Sequence, residues 1–408
     1  MTDSFNPVLN PDKLSSMREE MREELYRILN FWSTEVYQKS SESFIGRIDN
    51  QGNKYPEAEL GCVLISRILW TFSAAFKQEN KQEYQKVAST AFQVLIDKFW
   101  DKTQGGLYWS VSANGKLLNG KKQAYAQGFG LYGLSEYYSA FGSKEALDYS
   151  QQLYAILEEK FYDARHGGYW EALDADWNQL ADLRLSEKDK NYPKTMNTHL
   201  HILEPYANLF KYEPSEKLRV SLEELLKLFL NKIINSDSGH FDLFFERDWT
   251  AVYSGESYGH DIEGAWLMRE AALLVKNPDL LDQVETASLR LVNGTLQEGT
   301  DLDGSLFNER HGENLDSDKH WWPQAEAMVG LMDAWEIEKK TSYLNQIELV
   351  WSFIKSYMID LDKGEWYWRV DKNGSVVETE DKAGFWKCPY HNSRALIELI
   401  HRIDENLL

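Results

Sequence analysis

A glycine-aromatic stretch recurs six times along this 408-residue chain, and that recurrence limits the possible folds more than any other feature. The stretches are Phe44-Ile45-Gly46, Gly105-Gly106-Leu107-Tyr108-Trp109, Gly167-Gly168-Tyr169-Trp170, Gly239-His240-Phe241-Asp242-Leu243-Phe244, Gly304-Ser305-Leu306-Phe307 and Gly364-Glu365-Trp366-Tyr367-Trp368. From Gly46 through Gly106, Gly168, Gly239, Gly304 and Gly364, the gaps are 60, 62, 71, 65 and 60 residues. Each stretch precedes a polar turn and then an apolar, helix-like segment. Self-similarity at a fixed period marks a repeat architecture. A period this long exceeds that of common open solenoids, so six helix-pair units are expected to close into a toroid with one shared pocket. No linker or composition shift divides residues 1–408, which are read as one domain.

The helical pattern fits that ring. A first helix is expected over 11–32, where Leu14, Met17, Met21, Leu25, Ile28 and Leu29 have helical spacing. Helices charged on one face, as surface helices are, cover about 82–99, 144–160, 214–234, 278–296 and 341–359. Helices apolar nearly all round cover about 60–77, 122–140, 195–210, 260–275, 320–336 and 391–403, and should be buried. Strand-like stretches are short, with turns at 50–52, 113–115 and 372–374. They are expected as hairpin loops over one mouth of an all-α barrel. The long loops 174–193 and 374–389 are candidates to carry function.

Charge narrows the partners. A net charge of −21 argues against nucleic acid, which needs a cationic face. No basic start followed by an apolar run, and no stretch of about 18 apolar residues, is present. A soluble, cytoplasmic protein away from membranes is therefore expected. Cys62 and Cys388 are expected as packed thiols, not a bridge. Many of the aromatics must lie in the core, yet 15 tryptophans is a high number, and an indole face is well suited to stack on a pyranose.

Residues able to do chemistry gather at the starts of the buried helices, hence at one end of the ring. His260 and Glu263 are three apart and share a helical face. A carboxylate there can fix the imidazole tautomer and raise its basicity, although the same spacing fits a plain ion pair. His199 and His201 point about 200° apart, so only one can face the pocket. Asn197 shares a face with His201, which selects His201 and leaves His199 as a packed residue. His391 opens the last helix, and Trp386 precedes it on a loop. Arg67 lies inside an apolar run, where a buried guanidinium needs an anion or several acceptors. Tyr125 opens another inner helix, and Trp322 with Glu326 offers a stacking platform beside a carboxylate. His-x-x-Glu at 260–263 has two potential metal ligands, but zinc-protease and Cys-x-x-Cys patterns are absent, and no metal is expected. Neither a phosphate loop, a dinucleotide fingerprint nor a Gly-x-Ser-x-Gly elbow is present.

Arg67 in ISRILW, MNTHLH (196–201), YGHDIE (258–263), WWPQAEA (321–327) and WKCPYHN (386–392) together resemble the cellobiose 2-epimerases of the N-acylglucosamine 2-epimerase superfamily. The resemblance spans nearly the whole chain, in order and at consistent spacing. It implies an (α/α)6 barrel and reversible, cofactor-free epimerisation at C2 of the reducing-end sugar of β-1,4-linked disaccharides. Carried over by motif, His260 and His391 are the acid/base pair, and His201 and Arg67 stabilise the intermediate's oxygens. Glu263 supports His260. Tyr125, Asn197, Trp322, Glu326 and Trp386 bind sugar, and Asp189 contacts the second sugar unit. Two histidines on opposite faces of C2 suit this chemistry, because imidazole works both ways near neutrality. A monomer and a homodimer both remain open.

Other readings stay in play. An N-acylglucosamine 2-epimerase or an aldose–ketose isomerase would use the same bases on a monosaccharide. A glycoside hydrolase would use carboxyl pairs drawn from Asp189, Glu263 and Glu326. A non-catalytic sugar-binding protein would leave the histidines idle.

Overall fold

The computed structural model describes residues 11–253 and 255–406, so the ends of the expected 1–408 unit and Ser254 lie outside the described residues. The helices come in pairs: α1 (Pro11–Phe31) and α2 (Cys62–Glu79), α3 (Gln82–Val94) and α4 (Ala124–Phe141), α5 (Lys144–Ile156) and α6 (Met196–Tyr212), α7 (Glu216–Leu228) and α8 (Tyr258–Val275), α9 (Pro278–Glu298) and α10 (Trp321–Glu338), α11 (Thr341–Phe353) and α12 (Tyr390–Asn406). The second of each pair is inner. α2 packs on α4, α4 on α6, α6 on α8, α8 on α10 and α10 on α12, and α12 returns to α2. Outside that ring α3, α5, α7, α9 and α11 lean on α2, α4, α6, α8 and α10, and α1 leans on α12. The result is an (α/α)6 barrel whose first helix is locked against its last.

Sequence explains which ring each helix joins. α2 is buried continuously from Cys62 to Ala75, so only an interior position suits it. α7 buries Leu218, Ser221, Leu222, Leu225 and Leu226, one stripe at helical spacing, and leaves the rest to solvent. The hydroxyls of Ser143, Thr195 and Ser215 cap α5, α6 and α7 by accepting from Ala146, Thr198 and Leu218 N–H groups. α1, α3, α5, α7 and α11 each run on into a single π-helical turn, such as Leu95–Phe99, which feeds the glycine-aromatic stretch. Among the described residues no helix is long and apolar enough to cross a membrane. Cys62 and Cys388 are free and buried.

The strands correct one expectation. They are not merely hairpins over a mouth. The two residues before α2, α4, α6, α8 and α10, and a strand on the loop that leads to α12, pair antiparallel with the next unit's loop. Leu60–Gly61 pairs with Ser110–Val111, Lys122–Gln123 with Ala172–Leu173, and Lys194–Thr195 with Phe244–Phe245. Glu256–Ser257, Lys319–His320 and Asp381–Ala383 pair onward in the same way, the last reaching back to Ile48–Asp49. A ring of small sheets thus stitches unit to unit around the N-terminal ends of the inner helices. Backbone donors exposed before each helix explain this, since they need acceptors that their own unit does not supply. The expected turns are present: Gly52, Gly115 and Gly374 each take a positive φ of 81–86° and bond back to Asp49, Ser112 and Asp371.

Inner-helix side chains clamp the backbone of four of the glycine-aromatic stretches. Gln127 bonds both the N–H (2.7 Å) and the C=O (2.8 Å) of Leu107, and Gln324 does the same to Leu306. Asp261 accepts from Phe241 N–H at 2.8 Å. His199 Nε2 accepts from Tyr169 N–H at 2.8 Å while its Nδ1 bonds Thr195 O at 2.7 Å. His199 is therefore a packed clamp, and it can make both bonds only as the neutral Nδ1–H tautomer. Burial accordingly pushes its pKa down to about 3. Fully buried lysines add a second brace: Lys122 bonds Asp101, and Lys194 bonds Asp163, each at 2.9 Å.

Candidate active site

The barrel opens, on the N-terminal side of its inner helices, into a cavity of about 710 Å³. Arg67 from α2, Tyr125 from α4, Asn197 and His201 from α6, His260 and Glu263 from α8, Trp322 from α10 and His391 from α12 reach it. Asp189 and Trp386 reach it from the two long loops. A side chamber of about 270 Å³ adjoins it and shares Asp189, Asn197 and His260. Glu326 is not on the wall. It is completely buried behind His391.

The two loops are built to reach inward. Asp189 Oδ2 accepts from the Ser186 N–H (2.8 Å) and hydroxyl (2.7 Å), which folds the 186–189 turn over the cavity. Trp386 packs beside Trp109 and Tyr125, with ring centroids 5.8 and 5.9 Å away. Trp322 lies against both cavity imidazoles, 4.7 Å from the His260 ring and 5.7 Å from that of His391.

The carboxylates pair differently from expectation. Glu263 does not support His260. The partner of His260 Nδ1 is Ser257 Oγ at 2.7 Å, one turn back at the helix start. Glu263 turns instead towards α12, where its Oε1 lies 3.7 Å from His391 Nδ1 and accepts from Arg394 Nη2 at 2.8 Å. Glu326, expected to meet sugar, accepts from His391 Nδ1 at 2.6 Å, Arg394 Nη2 at 2.7 Å and Trp266 Nε1 at 3.1 Å. The cause is Arg394, three residues after His391 on α12 and 1% exposed, which draws buried carboxyls towards one cation. Its Nη1 also bonds Glu204, which accepts from Tyr390 as well and lies 3.0 Å from His201 Nδ1.

Protonation follows from these contacts. Carboxylates only accept, so His391 and His201 are assigned as Nδ1–H tautomers that turn Nε2 lone pairs outward. His201 thus presents an acceptor to the cavity, where a donor was expected. Burial, then Arg67 and Arg394, hold His391 well below the usual imidazole range. Burial also lowers His201, against the pull of Glu204. His260 keeps some surface open to the cavity, yet the enclosing protein, and then His201, push it down to about 3. All three rings are neutral near pH 7. Burial and nearby Glu326 push Glu263 well above the usual carboxylate range, although Arg394 opposes this.

Arg67 is a cation without a carboxylate partner among the described residues. Its Nη2 donates to Tyr125 OH at 3.0 Å and its Nη1 to Cys388 Sγ at 3.4 Å. Its guanidinium lies over the rings of Phe129 (4.2 Å) and Tyr390 (4.9 Å). A buried guanidinium so placed favours an oxyanion in the cavity. Glu263, Glu326 and His391 bring potential metal-ligand atoms within 4.8 Å of one another, but Arg394 already donates to both carboxyls there.

Sequence reasoning missed Ser257, Glu204 and Arg394. A signal existed for the last two: each is a charge inside an inner helix, the pattern that singled out Arg67. None existed for Ser257, an ordinary helix-start serine.

Similarity to known proteins extends over nearly the whole chain. Residues 43–395 match the model of the N-acylglucosamine 2-epimerase family. The chain is 43% identical to a cellobiose 2-epimerase of Bacteroides fragilis over 94% of its own length and 98% of that protein's. It is 36% identical to a cellobiose 2-epimerase of Dictyoglomus turgidum, over 96% of this chain and all (100%) of the other. The solved cellobiose 2-epimerase of Bacillus thermoamylovorans B4167 superposes with a TM-score of 0.92 at 35% identity, covering 95% of this chain and 100% of that one. On the family match and on relatives this similar across almost their full length, the chain belongs to the N-acylglucosamine 2-epimerase family.

Proposed function

We propose that this chain is a cellobiose 2-epimerase. It inverts C2 of the reducing-end sugar in β-1,4-linked disaccharides such as cellobiose, lactose and mannobiose. One observation carries the reading: His260 and His391, on different helices, are neutral imidazoles bordering one cavity with Trp322 against both rings. Neutral imidazoles are ready bases. The full-length relatives named as cellobiose 2-epimerases support the substrate class.

The C2 proton becomes acidic once the sugar ring opens and C1 is an aldehyde. One imidazole takes that proton, leaving a cis-enediolate; the other, which has first taken up a proton from solvent, delivers it to the opposite face of C2, and the first ring then gives its proton back to solvent. Arg67 and the Tyr125 hydroxyl stabilise charge developing on O1 and O2. His201, with its outward lone pair, accepts from a sugar hydroxyl. Trp322 stacks on the reacting sugar, and Trp386 and Asp189 meet the second unit. Residues 1–408 act as one catalytic unit, as a monomer or homodimer. The scheme needs no cofactor, and the acidic, cysteine-poor composition fits the cytoplasm.

Incubation with cellobiose, lactose and mannobiose, beside mannose and N-acetylglucosamine, tests the reading. The expected product of cellobiose is glucosyl-mannose. Absence of a 2-epimer from every disaccharide, or faster turnover of a monosaccharide, would overturn it in favour of the monosaccharide epimerases and isomerases.

A further inference from the structure

We infer that Arg394 is a positioning residue: one buried guanidinium sets the tautomers of two cavity histidines, His391 through Glu326 and His201 through Glu204. The inference rests on the epimerase reading for its kinetic meaning, but its structural content stands apart from it.

Arg394 does not itself line the cavity but lies behind wall residue Glu263, to which it donates. Its guanidinium packs on the Trp266 ring (4.7 Å) and the Tyr390 ring (4.3 Å). One end donates to Glu326 and Glu263, at 2.7 and 2.8 Å, and the other to Glu204. Without a cation there, buried Glu204 would tend to take up a proton, and Glu326 would lose the donor that shares its Oε1 with His391. A protonated carboxyl can donate to imidazole Nδ1. That would move the ring hydrogen to Nε2 and remove the lone pair from the cavity side. A fixed cation keeps both carboxyls as acceptors. Arg394 also sets where His391 titrates. The charged or titratable groups around that imidazole are Arg67 from α2, Glu204 and His201 from α6, Glu263 from α8, Glu326 from α10, and Tyr390 and Arg394 from α12 itself. Removing a cation from this group favours protonated imidazole.

The test uses full-length protein labelled with 15N-histidine: wild type, Arg394→Lys, Arg394→Met and Glu204→Gln. Long-range 1H–15N spectra at neutral pH read the tautomers, with assignments from single His→Gln variants. Wild type is expected to show Nδ1–H at His391 and His201. Arg394→Met is expected to lose the single tautomer at both, and Glu204→Gln at His201 alone. On cellobiose, Arg394→Met should lose at least about tenfold in kcat with KM changed less than about threefold, the pattern of lost transition-state assistance. The acid limb of its kcat/KM profile should move to higher pH. Arg394→Lys should rescue part of the loss. Unchanged tautomers and an unchanged acid limb in Arg394→Lys and Arg394→Met would overturn the inference. If Arg394→Met fails to fold, an unchanged His201 tautomer in Glu204→Gln does the same. Wild type that epimerises no sugar would instead sink the functional reading, while the spectra still decide the role of Arg394.

Discussion

The two histidine walls of the cavity are built from different materials. The His391 wall is ionic: Glu326 behind the ring, Glu263 beside it, and Arg394 binding both. The His260 wall is neutral: a single serine hydroxyl behind the ring and Trp322 across it. A carboxylate accepts only, so it locks one tautomer of His391. A hydroxyl both donates and accepts, so Ser257 suits either tautomer of His260. Two bases that look interchangeable in sequence are therefore unequal in support. His391 is held in one state by a charged network, whereas His260 can exchange states at little cost.

That contrast can be broken or sharpened in steps. The largest effects should come from the rings themselves: His260→Ala and His391→Ala should each lower kcat on cellobiose by about 10²–10⁴-fold. A variant that keeps wild-type turnover would remove its histidine from the chemistry. The supports come next. Charged hydrogen bonds are worth about 1.5–3 kcal/mol and neutral ones about 0.5–1.5 kcal/mol. Glu326→Gln should therefore reduce kcat about 10–150-fold, and Ser257→Ala about 2–10-fold, by steady-state kinetics. Equal losses would erase the difference between the walls.

Acidification acts on both walls together. His201, His260 and His391, with the clamp His199, all have folded pKa values below that of a free imidazole. The unfolded chain binds protons first as pH falls, so their contribution is fully present above about pH 6.5 and is lost below it. The thermal unfolding midpoint should fall between pH 7.5 and pH 5, and an unchanged midpoint would contradict buried neutral rings. The smallest change in kcat is expected at Trp386, which reaches the cavity from a loop. Trp386→Ala should raise KM for cellobiose about three- to tenfold, with a weaker effect on kcat.

How much of this could be read from the chain depended on the range of each interaction. The ring was legible because its signals are local. Gly106, Gly168, Gly239, Gly304 and Gly364 all take positive φ, which glycine tolerates best, so the repeat carries a backbone requirement. Gly46 is kept for a different reason: a Cβ there would lie 2.2 Å from the Glu59 carbonyl oxygen. Most cavity residues were legible because they open inner helices. Their partners were not. Glu263 and His260 share a helical face, yet Glu263 goes to Arg394, 131 positions along the chain. Glu326 joins His391 across 65 positions, and Glu204 joins Arg394 across 190. Which of two neighbouring helices receives a carboxyl depends on ring packing. The inter-unit strands escaped notice for the same reason, since two-residue pairings leave too little pattern to assign a partner.

The most direct test of the two-base account is the isotope at C2. Cellobiose deuterated at C2 of the reducing unit is incubated with wild-type protein in ordinary water, and the first few per cent of product is examined by NMR. Two imidazoles on opposite faces predict glucosyl-mannose carrying hydrogen from solvent at C2, while unreacted cellobiose still holds its deuterium. Product that keeps the substrate's deuterium at C2 would contradict the account.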